Sequence, residues 1–176
     1  MSDLDSRCLD KFPEWLRTLS DDALAFAAVI SDGTVDEQAR RPIAAALNYL
    51  FKSLDLIPDG IEDLGYLDDA FVFRVAAAAS GAASRSDAVL RLAKDAGLVG
   101  EFLGADFARL EKYVGSLASG AARGRSVDSI LGDASVRNEL VSDVKGWATS
   151  YVAPSFTRDA KNLVKLRSFL TTKLPA

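Results

Sequence analysis

The sequence predicts an all-α protein, a compact bundle of about seven to eight helices forming one unit across residues 1–176. Three observations predict it. Apolar residues recur at steps of three and four almost throughout, the spacing that buries one stripe of each amphipathic helix. Strand-like alternation is nearly absent. The composition, 49% hydrophobic and 26% charged over 176 residues, is that of an ordinary globular chain long enough to bury a substantial core.

Leu4, Cys8, Phe12, Trp15, Leu16 and Leu19 define a first helix, interrupted or adjusted at Pro13. Ser20 followed by Asp21 and Asp22 reads as an N-cap with acids in the first turn, starting a second helix from Asp21 to Ile30 that Gly33 closes. The third runs from Asp36 to Leu54, with Ile43, Leu47, Leu50, Phe51 and Leu54 on one face. A helix beginning at Asp68 and Asp69 and reaching about Ala83 is rich in alanine, which permits close approach and predicts the central position. Four more follow over Ser86–Ala96, Glu101–Leu117, Ala134–Tyr151 (closed by Pro154) and Arg158–Lys173. The similar loops 80–86 and 119–126 read as shared turn chemistry rather than a repeat, and Arg123 and Arg125 as linker residues.

Composition removes several function classes. A net charge of -4 and a pI near 4.9 argue against nucleic-acid wrapping, although the charge is lopsided. Residues 1–69 hold fifteen acids against six bases, a net of -9, and residues 70–176 hold ten against fifteen, a net of +5. Without histidine there is no Ser-His-Asp or Cys-His set and no His-ligated zinc, and the single Cys8, at core spacing, excludes a cysteine cluster. No phosphate-binding loop, dinucleotide fingerprint or nucleophile elbow occurs. Met-Ser-Asp-Leu-Asp lacks the pattern of a signal peptide, and Ala70–Ser84 is too short for a membrane span, which predicts a cytoplasmic protein.

One segment is distinctive. Tyr49 to Asp69 sets six carboxylates, Asp55, Asp59, Glu62, Asp63, Asp68 and Asp69, among large apolar residues. Asp55, Ile57, Pro58 and Asp59 followed by Gly65, Leu67, Asp68 and Asp69, with Tyr49 and Leu50 on the incoming helix, resemble the YkvA family of bacterial proteins of unknown function. In that family a hydrophobic helix meets an Asp-x-Ile-Pro-Asp turn and then a Gly-Tyr-Leu-Asp-Asp helix start. The resemblance spans about residues 40–80, a helix-turn-helix core, followed by a more basic helical part at about 86–176. It implies a bacterial origin and no particular activity. The chain departs from the pattern at Leu54, where the family carries proline, and at Gly60, Glu62 and Asp63, which replace an apolar, proline-containing stretch.

Two readings of the carboxylates stand first, beside a third in which the clustered acids bind a basic peptide or protein surface. In the first they are architectural: Pro58 stops the third helix and starts a helical turn, Asp55 or Asp59 accepts that turn's amides, Gly65 ends it, and Asp68 and Asp69 cap the next helix. In the second, Asp55, Asp59, Asp68 and Asp69 converge on a hard divalent cation such as Mg or Ca. A calcium-loop alignment from Asp55 fails, because Ile57 falls on a ligand position and Tyr66 replaces the closing Glu.

The function expected first is binding or scaffolding, with a protein partner or self-association and no cofactor. The alternative is a metal-dependent hydrolase or phosphoryl-transfer enzyme built on the Asp cluster, with Lys52 and Arg74 as the nearest cations in sequence. A third is peripheral membrane contact through the last helix, where Arg158, Lys161, Lys165, Arg167 and Lys173 face one acid, Asp159. That helix can equally dock on the chain's own acidic half.

Overall fold

A computed structural model describes residues 1–53, 55–81 and 86–176. Among the described residues, eight α-helices and one two-residue hairpin confirm the all-α bundle: α1 Asp3–Ile30, α2 Glu37–Tyr49, α3 Leu67–Ser80, α4 Asp87–Leu103, α5 Phe107–Ser116, β1 Ala121–Ala122, β2 Arg125–Ser126, α6 Val127–Gly132, α7 Ala134–Ser150 and α8 Ala160–Lys173. One apolar core draws side chains from Cys8 to Leu174. α3 is its centre: twelve of its fourteen residues are buried, and it packs between α2 and α4 with α1 alongside. Phe12 lies 5.1 Å from Trp15, Phe71 and Phe102, an aromatic layer joining α1, α3 and α4.

The two helices expected before Gly33 are one. α1 is capped by Ser2, whose Oγ accepts the Asp5 amide at 3.0 Å, and runs through Pro13 and Ser20 without a break. Asp22 caps nothing; its carboxylate is buried and takes Arg91 at 2.6 Å and Thr18 Oγ1 at 3.1 Å. Continuity of the buried stripe from Cys8 to Ile30 outweighs the single backbone bond that Pro13 forgoes.

α2 ends at Tyr49 rather than at residue 54, before Pro58 can act. Past Tyr49 the chain tightens into i to i+3 bonds, with the Leu50, Phe51 and Lys52 amides donating to the Leu47, Asn48 and Tyr49 carbonyls at 3.1–3.2 Å. Leu54, the expected helix end near Ala83 and the first of the two similar loops at 82–85 lie outside the described residues.

α4 runs on to Leu103 and stops at Gly104, whose φ of +57° ends it, so the break falls after Glu101 rather than before it. The loop expected at 119–126 is a hairpin. Arg123 and Gly124 both take positive φ, the turn that matches strand twist, and Ser126 with Ser129 forms a capping box that opens α6. Arg125 is no linker residue: it is 3% exposed and pairs with Glu139 and Asp143 at 3.0 and 2.8 Å.

The basic helix α8 and the residue before its cap turn part of their charge onto α1. Arg158 pairs with Asp10, and Arg167 reaches Asp5 at 3.6 Å while lying 4.3 Å over the Phe102 ring. Both acids belong to α1, in the acidic part of the chain. No described helix is long and apolar enough to cross a membrane.

Candidate functional site

The residues between α2 and α3 form a run of turns in which the Ile61 amide donates to Pro58 O, and the Leu64 and Gly65 amides to Ile61 O. Ile57, Leu64 and Leu67 are fully buried and anchor the run to the core, while Pro58 is exposed and starts it. Gly65 is required by proximity: a Cβ there would sit 2.1 Å from the Asp59 carbonyl oxygen. That contact couples the two halves of the segment, since Gly65 lets the backbone of Asp59 lie against the start of α3. Asp63, at φ +65°, accepts the Thr157 amide at 2.8 Å and pins the chain between α7 and α8 to the turn.

The expected caps are not caps. Tyr66 occupies the N-cap position of α3 in a left-handed conformation without a side-chain cap, and Asp68 and Asp69 follow in the first turn, where the helix dipole favours them. Asp68 instead reaches back to the incoming arm. Its Oδ2 accepts the Tyr49 hydroxyl at 2.6 Å and the Ile57 amide at 3.4 Å, while Tyr49 Oη accepts the Leu56 amide at 2.8 Å. Tyr49 thus folds the chain back over α2, which explains why the helix ends there. Among the described residues, neither Asp55 nor Asp59 takes a backbone amide of the turn in a hydrogen bond.

The carboxylates do converge. One oxygen each from Asp59, Asp68 and Asp69 lies within 4.8 Å of the others. Asp55 gives no oxygen to this group but stands close enough for its charge to act on Asp69. Asp68 and Asp69 are 0% and 2% exposed, and Asp68 Oδ1 and Asp69 Oδ2 have no hydrogen-bond partner. Asp59 is the exposed member.

These acids resist ionisation. Burial pushes Asp68 up to about 6 against the opposing Tyr49 and Ile57 hydrogen bonds. Burial, then the charges of Asp68 and Asp59, push Asp55 up to about 7. Burial followed by Asp68, Asp59 and Asp55 holds Asp69 well above the carboxylate range, and desolvation raises Asp59 while the nearby Tyr66 hydroxyl works against it. Among the described residues, the ion pairs formed leave out all four acids. Lys52 eases Asp55 alone and lies 5.3 Å from the Tyr113 ring centroid, and Arg74 is buried elsewhere with Asp22 and Asp95. Neither cation nearest in sequence forms an ion pair with the four acids among the described residues.

These donors fit a hard cation, which would take part of its shell of six to eight oxygens from Asp59, Asp68 and Asp69 and the rest from water. Asp59 also borders a cleft of about 480 Å³ shared with Phe51, Tyr66, Arg123, Asp143 and Trp147. The sequence places Tyr49 only as part of the incoming helix and Arg123 only as a linker residue. The Leu56 amide that Tyr49 takes is a backbone group with no sequence signature, and Arg123 sits in a loop 54 residues beyond Asp69 with no local pattern to join them.

Residues 40–74 match the family described as Protein of unknown function (DUF1232). The match takes in most of α2, the turn and the opening of α3, the part of the chain that holds all four acids. No curated protein and no solved structure matches the chain.

Proposed function

We propose that this protein is a cation-dependent binding module, holding one divalent ion of the Mg or Ca class at Asp59, Asp68 and Asp69 with Asp55 beside them. The observation that carries this is the pair of partnerless oxygens, Asp68 Oδ1 and Asp69 Oδ2, on two buried carboxylates whose charged neighbours are all acids. Unpaired buried charge costs several kcal/mol per ion by rough reckoning, and a bound cation supplies the missing countercharge. The fixed scaffold around the acids supports the same reading. Gly65 sets Asp59 against α3, and Tyr49 with the Ile57 amide orients Asp68 so that its second oxygen is left for the ion. The YkvA-like turn is on this view a device for assembling the site.

Thermal melting of the full chain with and without Mg, Mn and Ca tests it. An ion present at about 100 times its Kd adds about 2.7 kcal/mol, which for a chain of this size raises Tm by about 5 °C or more. Asp69→Asn is expected to abolish the shift. Melting that no divalent ion moves, or a shift that Asp69→Asn leaves intact, overturns the proposal.

A further inference from the structure

Of the three converging acids only Asp59 is exposed, and it borders the cleft, so that is the side from which solvent or a ligand would reach an ion held by them. Across that cleft stands Arg123, at the tip of the β1–β2 hairpin with φ +51°. Its guanidinium lies 4.6 Å from the Phe51 ring centroid, and its side chain is 57% exposed. Its one ion-pair partner among the described residues, Asp143, is 3.7 Å away and is held more closely by Arg125 at 2.8 Å. The guanidinium is therefore positioned by stacking, with donors to spare. Trp147 lies along the same cleft, 6.2 Å from Tyr66 and 4.9 Å from Tyr151, in an aromatic cluster.

We infer that the cleft takes a phosphorylated small molecule with a flat ring, its phosphate bridging the ion and Arg123 and its ring lying against Trp147; this rests on the cation reading above. Each part answers a separate feature. A phosphate oxygen is the hard donor an incomplete ion shell accepts, and a guanidinium matches phosphate in bidentate geometry. The aromatic wall gives a planar group somewhere to stack, and about 480 Å³ is within the usual range for a small-molecule site. A wholly apolar ligand would desolvate Asp59 without a partner and cover the free donors of Arg123.

Calorimetry on the full chain, with Mn²⁺ saturating or absent, tests this using inorganic phosphate and adenosine monophosphate as probes. Both are expected to bind with Mn²⁺ and neither without it. Arg123→Gln, at an exposed hairpin tip, is expected to weaken both by about tenfold or more while leaving Mn²⁺ affinity unchanged. Trp147→Leu is expected to weaken adenosine monophosphate and spare inorganic phosphate. If Mn²⁺ binds but neither probe does, or if Arg123→Gln has no effect on them, the ligand assignment is wrong and the cation site stands. If Mn²⁺ does not bind, the cation reading falls and takes this one with it.

Discussion

Arg74 and Asp69 lie five residues apart on α3, and both are buried, yet their surroundings differ in sign. Arg74 meets Asp22 at 3.7 Å and Asp95 at 3.8 Å, donates to the Ala70 carbonyl at 2.9 Å, and lies 4.0 Å over the Trp15 ring. Arg91 closes the other side of Asp22 at 2.6 Å. Burial pushes Arg74 down to about 10, and the two acids hold it up, so it stays charged at neutral pH. Asp69 has Asp68, Asp59 and Asp55 about it instead. A buried charge that meets its opposite within the chain is part of the architecture. One surrounded by its own sign marks a place where a proton or an ion must come from outside.

Arg74→Met tests the balanced half and has the largest expected effect. It strands Asp22 in the core with Arg91 alone, and denaturant unfolding should show a loss of about 3–5 kcal/mol. Gly65→Ala comes next, with about 3 kcal/mol, because the new methyl meets the Asp59 carbonyl backbone rather than a side chain that can turn aside. The same variant should lose the response to divalent ions in thermal melting, since Asp59 moves with its carbonyl. Tyr49→Phe removes the hydroxyl that joins the Leu56 amide to Asp68, leaving both ends buried; about 2 kcal/mol in denaturant unfolding is expected.

The unbalanced half should answer with the opposite sign and the smallest change. Without divalent ions, Asp69→Asn replaces a buried carboxyl held among acids by a neutral group of the same shape and should leave stability equal or higher by about 1 kcal/mol. A loss as large as that of Arg74→Met would break the comparison. The pH dependence follows the same logic. Asp55 rises from 3.8 to about 7 and Asp68 from 3.8 to about 6 on folding, so the native state holds these protons more tightly than the unfolded chain. Their contribution is complete below about pH 4 and is lost as pH climbs through about 7. In metal-free melts the decline should flatten in Asp55→Asn.

Much of the fold is legible in the sequence because it rests on local periodicity. The stripes of α2, α7 and α8 and the alanine-rich centre of α3 are set by spacing alone, and the ends of α7 and α8 fall within two residues of the pattern. What the pattern misreads is decided by distant partners. Ser20-Asp21-Asp22 has the composition of a helix start, yet Asp22 is claimed by Arg91 and Arg74 from other helices and α1 runs straight through. Asp68 and Asp69 likewise have the composition of a cap, but Tyr49 and Ile57 draw Asp68 across the turn. Asp59, Asp68 and Asp69, which the fold gathers, lie with Asp55 in one short segment of the sequence. Arg123 does not, and only the fold brings the hairpin beside Asp59.

Loss of the free Mn²⁺ resonance on titration with protein, followed by electron paramagnetic resonance, tests the site most directly. The account predicts one site per chain in the native protein, loss of that site in Asp69→Asn, and full retention in Glu62→Gln, which removes an exposed acid of the same turn that lies outside the converging group. Equal binding by the native protein and Asp69→Asn, or weakening by Glu62→Gln as severe as that by Asp69→Asn, would show a diffuse acidic surface and contradict it.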